Sequence, residues 1–538
     1  MKTLVRRSSA LLAAAGLVFS AAEAYSFRTP RDDPRDPAFA DALFTNDVLL
    51  HLRIEIPEAG LASLRRDHRK YVKATVREGE MVYTDVAIHL KGSAGSLRGV
   101  DDKPGLTLSL MHFEANRKFH GLQKFHLNNS VQDPTCLSER ICGDLFRAAG
   151  VPACRVAHAL VELNGRKLGL FVLKEAFNQD FLARYFKNTR GNMYGLPGGA
   201  DITDPLERVE GDGPLDRADL KALAAAAQDP NPARRWERLQ QKLDVDRFLS
   251  FMALEVIFCH WDGYTFGRHN YRAYHDLDTG RMVFFPHDLD QMMGDPNVPI
   301  LPGANGVVAD ALLKIPEARS RYRERVGTLF TNLFVVPTLT NRINQLVARL
   351  APQIRTYNTN WARDFQNHAR SLKERIVNRG QNLEKQFYVP TPKTLKFESG
   401  IAQLSGWRKE NERGGARLEQ GKDPEGKKTL WIKATGETMS SWRTRLLLPP
   451  GRYRFEGMGR AAGINPLPND RKGVGAGLRI SGSQQPRPNK LTGDSGWQKL
   501  AYEFEAASNE EVELVCELRA TKGEVWFDLE SLRLVRQK

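Results

Sequence analysis

The chain has 538 residues, with 79 Lys and Arg against 64 Asp and Glu for a formal net charge of +15, and 41% of its residues are hydrophobic. That balance excludes a disordered tail, a fibre and a membrane bundle, and the length implies about two to four domains.

Ala10 to Ala22 is a long uncharged apolar run. It is shorter than the about 20 residues of a spanning helix, it follows Lys2, Arg6 and Arg7, and it ends in Ala22-Glu23-Ala24. The pattern predicts a secretory signal peptide over 1–24, cleaved after Ala24, with no transmembrane segment in the mature chain and a destination in the periplasm, at the cell surface or outside the cell. Three basic residues and one acidic residue leave with it, so the mature chain carries +13. An exported basic protein favours anionic wall polymers or an acidic substrate over nucleic acid. The five cysteines, Cys136, Cys142, Cys154, Cys259 and Cys516, show no zinc spacing and are read as buried free thiols.

After an N-terminal extension over 25–46, the segment from Asp47 to Pro57 alternates as a strand. VREGEMVYTDVAIHLKGSAGS follows as strand, turn, strand and glycine-rich loop, then GLTLSL and KFHLNNS as further strands. DPTCLSERICGDLFRAAGVPACR reads as a helix with Asp133 at the N-cap and Pro134 at the first helical position, stopping at Gly150. Ala157 to Leu163 and Lys167 to Lys174 are two short strands joined by Asn164-Gly165, a strong hairpin signal. This β-rich part is predicted to end near residue 178.

From 179 to 386 a loop rich in glycine and proline gives way to helical periodicity from Arg217 to about Gln386, broken by loops and strands between Trp261 and Pro302. The last helices carry apolar stripes and basic outer faces, read as solvated bundle helices. A linker over 387–394, with Pro390 and Pro392, precedes short strands split by turns over 395–538, an all-β sandwich holding five of the eight tryptophans.

The densest polar cluster in an apolar region is FCHWDGYTFGRHNYRAYHD followed by RMVFFPHDLDQMMGD. Asp262 follows an apolar helix, Asn270 opens a strand, and Asp288 and Asp290 emerge just after MVFFP. Oxygen ligands gathered at strand ends suit Mg²⁺, which shares its shell with water and phosphate oxygens. An Asp, an Asn one loop later and an Asp after a strand repeat the order of base and metal ligands in protein kinases. The spacing differs: seven residues separate Asp262 from Asn270, and DLD stands where kinases have DFG. Upstream, Gly92, Ser93, Gly95 and Ser96 form a loop whose amides suit a phosphate cradle. Lys103 is a candidate to pair with Glu139 and reach the phosphates, with Lys91 as its rival.

HLKGSAGS, KPGLTLSL, the run from LQKFHLNNS to FVLKEAFN, GNMYG, HWDGYTFGRHNYRAYHD and FPHDLDQMMG together resemble the CotH kinase family of spore coat protein H-like secreted atypical kinases, over roughly 47–386. The resemblance implies an α+β, bilobal kinase-like domain, with lobes of about 47–178 and 179–386, that binds ATP with Mg²⁺ (or Mn²⁺ or Ca²⁺) and phosphorylates Ser or Thr hydroxyls of a protein substrate. It implies Asp262 as the active-site aspartate, with Lys103 and Glu139 beside it, Asn270, Asp288 and Asp290 at the metal, and Leu173 to Glu175, including Lys174, near adenine. Two departures stand out: KGSAGS replaces an Arg-Gly-Asn-Ser type run, and His287 precedes DLD where an aromatic is commoner. The last 145 or so residues resemble jelly-roll carbohydrate-binding modules, which implies a polysaccharide or wall-polymer partner, with Trp407 and Trp442 as the candidate sugar contacts. Two other readings stay open: an inactive kinase-fold scaffold on the wall, and a glycosyltransferase using Asp288-Leu289-Asp290 as its metal motif.

Overall fold

The computed structural model describes residues 38–93, 95–195, 199–387, 395–468, 474–483, 487–506 and 510–537. The expected signal peptide and most of the expected linker lie outside them, and the extension expected over 25–46 holds helix α1 (Ala38–Thr45).

Alternating burial along β1 (Leu49–Glu55) turns one face inward, as the sequence pattern predicts. A helix absent from that pattern, α2 (Glu58–Arg66), follows, and then β2 (Val72–Glu78), β3 (Met81–Lys91), β4 (Gly105–Ser109) and β5 (Lys124–Asn128). Helix α3 (Ser138–Ala148) separates these from the hairpin of β6 (Val156–Leu163) and β7 (Arg166–Glu175). Asn164 and Gly165 both take positive φ, 46° and 78°, the geometry a two-residue turn demands.

The seven strands close into a barrel in the order β1-β2-β3-β4-β5-β7-β6, with β6 running parallel to β1. Closure pairs the edge strands that an open sheet would expose. Leu52, Ile54, Ile88, Leu108, Phe125 and Phe171 fill the core. Each such side chain contributes about 1.5 to 3 kcal/mol by leaving water.

Helix α3 begins four residues later than the sequence suggests. Asp133 caps the preceding turn instead, accepting from the Thr135 hydroxyl at 2.6 Å and the Ser138 amide at 3.1 Å. The delay puts Glu139 in the first turn of α3, at the barrel wall.

His158 on β6 is fully buried and its Nε2 donates to the Cys136 carbonyl at 2.8 Å. Burial, with Arg140 and Arg342 nearby, pushes its pKa down to about 4 against the opposing pull of that carbonyl and of Asp47. A folded pKa below the unfolded one means that the unfolded chain binds the extra proton, so this contribution is complete above about pH 6.5 and is lost as pH falls toward 4. Chemical denaturation is expected to show stability declining across that window, and His158→Gln to flatten the decline; an unchanged profile in the variant would exclude His158 as its source.

The rest of this unit is mainly helical: α4 (Gln179–Tyr185), α5 (Ala218–Ala227), α6 (Pro232–Lys242), α7 (Val245–Ile257), α8 (Tyr264–Gly267), α9 (Val307–Leu313), α10 (Pro316–Asn332), α11 (Val336–Tyr357) and α12 (Thr359–Phe387). A four-stranded sheet lies among them, ordered β11-β10-β8-β9 from β8 (Met193–Gly195), β9 (Glu207–Glu210), β10 (Tyr271–Asp276) and β11 (Arg281–Pro286). Strand β8 forms in a stretch the sequence reads as loop, because its three buried residues pair across to Tyr274 and Glu210.

The last helices are more than a solvated bundle. Arg379 of α12 is fully buried and donates to the carbonyls of Val256 at 2.8 Å, Ile257 at 3.1 Å, Pro296 at 2.7 Å and Val298 at 2.7 Å. Arg375 donates to the Met292 carbonyl at 2.6 Å. Helix α12 therefore clamps the end of α7 and the loop that follows Asp290. Among the described residues no helix is long and apolar enough to cross a membrane, and all five cysteines are free and buried.

A second compact unit begins at Phe387. It is all β, from β12 (Ile401–Gln403), β13 (Arg408–Arg413), β14 (Ala416–Lys422), β15 (Lys428–Ala434), β16 (Thr438–Leu448), β17 (Gly451–Pro466), β18 (Gly475–Ile480), β19 (Gly493–Ala506), β20 (Glu510–Asp528) and β21 (Arg533–Gln537). Strand β20 pairs with β16 and β18 along its first half, and with β15 and β17 along its second. The core contains Leu430, Phe455, Leu514, Phe527 and Trp442. Trp442, expected at a sugar surface, is 3% exposed and its Nε1 donates to the Trp431 carbonyl at 3.1 Å, so it is a core residue. Trp407 packs on the same core, its ring stacked 6.3 Å from that of Phe455.

Candidate functional site

Lysine at the end of a core strand is costly to bury without a partner. Lys91 ends β3, Lys174 is the penultimate residue of β7, and both side chains come to the neighbourhood of Glu139 on α3. The Lys174 ammonium donates to Glu139 Oε1, and the Lys91 ammonium to Asn128 Oδ1. Asn128 in turn donates through Nδ2 to Glu139 Oε2 at 2.8 Å. The Leu289 amide, between the two aspartates of DLD, donates to Glu139 Oε1 at 3.2 Å. One carboxylate thus ties α3, two barrel strands and the DLD loop together.

The electrostatics follow from burial. Desolvation opposes the Lys174 charge, but Glu139, Cys154 and Asp288 more than offset it and raise its pKa above the ordinary value. Desolvation also opposes the Glu139 carboxylate, and Lys174, Lys91 and the Leu289 amide hold it below the usual range. Lys91 is lowered by burial, against the attraction of Asp288, Glu139 and Asp290 and alongside the repulsion of Lys174. Asp290 is pushed up to about 8 by burial and by the like charges of Asp288, Glu139, Asp133 and Asp262.

Asp262 lies in the loop between α7 and α8, and Asn270 just before β10 donates from Nδ2 to Asp262 Oδ2 at 2.7 Å. Asn270 and Asp288 both take positive φ, 48° and 54°, uncommon for non-glycine residues and concentrated at functional loops. The Asn270 carbonyl accepts from the His287 amide at 2.7 Å, which ties the Asn270 strand start to the DLD approach. Trp261, beside Asp262, is 58% exposed. A cavity of about 370 Å³ is lined by Trp261, Asp290, Asp133, Gln132, His368 and Arg375, among others.

Among the described residues no three His, Cys, Asp or Glu side chains form a preformed metal cage. An acidic group crowded by like charges, with an amide close to Asp262, fits instead an open Mg²⁺ site completed by water and phosphate oxygens. Asp288, Asp290 and Asn270 are the side chains of this chain that fit such a site.

Three expectations change on the structure. Lys103 does not pair with Glu139: its Nζ donates to the Leu170 carbonyl at 3.0 Å and lies 4.9 Å from the centre of the Phe171 ring. Lys174 takes the expected place because β7 runs beside β5, whose last residue contacts Glu139. Glu175 is not open to a ligand, since it is 1% exposed and clamped by Arg155 at 3.0 Å and Arg184 at 2.7 Å.

In the glycine-rich loop, the Ser96 and Leu97 amides donate to the Ser93 carbonyl at 3.1 and 3.0 Å, and the Ser93 amide to Ser96 Oγ at 3.2 Å. These three amides are taken up by bonds within the loop. Gly92 and Gly95 are needed for the fold of the loop: both have positive φ, and a Cβ would lie 2.8 Å from the Leu97 backbone and 2.7 Å from the Gln132 amide nitrogen.

Asn128, bonded to Glu139, and Glu255, which accepts from the Tyr264 and Thr265 amides just after the Asp262 loop, join the site although the sequence motifs do not mark them. The available signals were a paired Asn at the end of an apolar strand, and a lone acid inside the apolar helix FLSFMALEVIF.

The profile of the CotH kinase protein family matches residues 93–383. Invasin CotH3 of Rhizopus delemar is 26% identical over 277 residues, 44% of this chain and 44% of that protein. The inner spore coat protein H of Bacillus subtilis is 23% identical over 296 residues, 51% of this chain and 80% of that protein. The chain thus spans less than half the length of the fungal invasin. Among solved structures, a carbohydrate-binding module, TmCBM61 in complex with β-1,4-galactotriose, is similar at a TM-score of 0.18 and 14% identity, over 26% of this chain and 92% of that one. At that score the likeness carries no structural argument. The family profile covers more than half of the chain and runs through Glu139, Lys174, Asp262, Asn270, Asp288 and Asp290, and this protein belongs to the CotH kinase family.

Proposed function

We propose that the chain is an exported phosphotransferase of bilobal kinase type that uses ATP and a divalent ion to phosphorylate Ser or Thr hydroxyls of a protein at the cell surface or coat. The observation that carries the reading is the meeting of Lys174, Asn128 and the DLD loop on one buried carboxylate, Glu139. In kinases a Lys–Glu pair and an acidic loop position the phosphates, and this meeting supports the same role here.

By that analogy Lys174, held by Glu139, would meet the phosphates, with Lys91, held by Asn128, beside it. Asp288, Asp290 and Asn270 would hold Mg²⁺, which when bound offsets the negative charge of the triphosphate. Asp262 is the base. It takes the proton of the acceptor hydroxyl as that oxygen bonds to the γ-phosphorus, while the bond from phosphorus to the β,γ-bridging oxygen breaks and ADP departs. The all-β unit is assigned to a polysaccharide or wall polymer, retaining the enzyme near its acceptor by effective concentration.

The test is thermal unfolding of the mature chain with ATP, with and without Mg²⁺ or Mn²⁺. Ligand binding to the native state raises apparent stability by about 2.7 kcal/mol at a hundredfold excess over Kd. A metal-dependent rise that Asp288→Ala abolishes is expected. No rise at saturating ATP would favour the second reading, a catalytically inactive scaffold, for which the names of the relatives, invasin and coat protein, speak.

A further inference from the structure

Helix α7 is apolar along its buried length except for Ser250 and Glu255, and Glu255 is fully buried. Its Oε1 accepts from the Tyr264 amide at 2.8 Å and its Oε2 from the Thr265 amide at 2.9 Å, so the acid caps the first turn of α8 and shapes the Asp262 loop. His260 is also fully buried and lies between Glu255 and Asp262. Its Nδ1 is 3.7 Å from Glu255 Oε1, and its Nε2 is 3.3 Å from Asp262 Oδ1. Neither ring nitrogen, nor Asp262 Oδ1, has a hydrogen-bond partner among the described residues.

Three unpaired polar atoms buried side by side are costly, and their persistence asks for a reason. The surrounding chain is built to keep them close. A Cβ on Gly263 would run into Glu255 Oε1 and lie 2.6 Å from His260 Nδ1, so only glycine admits the ring beside the acid. A Cβ on Gly267 would come within 2.9 Å of the Asp262 Cα. Cys259, just before His260, takes a φ of 53°, which helps turn His260 inward and Trp261 out to solvent.

We propose that His260 is the positioning residue of Asp262: its Nε2–H closes onto Asp262 Oδ1 when substrate binds and, with Asn270 on Oδ2, fixes the carboxylate for proton abstraction. Hydrogen bonds at catalytic groups are often long before substrate arrives and tighten afterwards. The inference rests on the phosphotransferase reading above.

The experiment compares His260→Ala, His260→Gln and His260→Asn in the mature full-length chain, measuring steady-state Mg·ATP turnover and thermal unfolding. A Gln amide nitrogen reaches the place of imidazole Nε2, whereas an Asn amide nitrogen reaches only that of Nδ1. Loss of a partner that orients a functional side chain costs on the order of 10- to 100-fold. The expected result is a kcat loss of that size in His260→Ala and His260→Asn, an unchanged KM for ATP, and most of kcat restored in His260→Gln at equal melting temperature. Equal losses in the Gln and Asn variants, or losses that follow melting temperature, would overturn the positioning role and leave the enzyme reading standing. Absence of turnover in the wild-type chain that nonetheless binds Mg·ATP would remove the enzyme reading itself, and the role of His260 with it.

Discussion

Asp262→Asn is expected to lower Mg·ATP turnover by about 10²- to 10⁴-fold, the usual contribution of a positioned general base. The substitution keeps shape and volume and removes only the capacity to take a proton. Asn270 Nδ2 sits 2.7 Å from Asp262 Oδ2, so the amide of the variant can still meet it through its oxygen and the loop is retained. Nucleotide-dependent stabilisation should therefore persist while chemistry is lost. Turnover within a few-fold of wild type would remove Asp262 as base.

Glu139→Ala is expected to destabilise the first unit by about 3 to 5 kcal/mol, the cost of leaving a buried partner charge uncompensated. The variant strands the Lys174 ammonium, which is 5% exposed, and frees both the Asn128 amide and the Leu289 amide. Because the Leu289 amide anchors the DLD loop, the metal-dependent ATP shift should vanish with it. Removing the stranded charge as well, in Glu139→Ala with Lys174→Met, should recover part of the stability without recovering ATP binding, and a double-mutant cycle by chemical denaturation measures the coupling. A cost under about 1 kcal/mol in the single variant would mean that Lys174 finds water or another partner, and that the carboxylate does not organise the site. The pH dependence has a definite sign. The folded pKa of Glu139 lies below that of the unfolded chain, so its contribution is present above about pH 4.5 and is lost as pH falls through the folded value.

Much of the architecture is legible in the sequence because it depends on short-range patterns. Alternation along Leu49–Glu55, the Asn164-Gly165 turn and the stop at Gly150 are local steric facts, and each appears where the chain spells it. Asp262, Asn270 and Asp288 announce themselves as polar residues placed at the ends of apolar elements. The order in which they come also carries the family resemblance.

Pairing across the barrel is another matter. Lys91, Lys103 and Lys174 are alike as residues near strand ends, and no spacing says which one meets Glu139. That choice depends on β7 lying against β5, a neighbour relation between strands 38 residues apart at Asn128 and Arg166, set by barrel closure. The same holds for Trp442, an aromatic near a turn by sequence and a core residue once β16 pairs with β20. His260 and Glu255 sit five residues apart, yet their contact needs the α7–α8 loop to fold back over Gly263. From the sequence alone most element types and the division of the chain could be read, since these rest on local sterics and hydrophobic period, whereas α2 and β8 could not. The tertiary structure alone decided which charges share a buried volume, since burial and pairing are properties of distant segments brought together by the packing of the core.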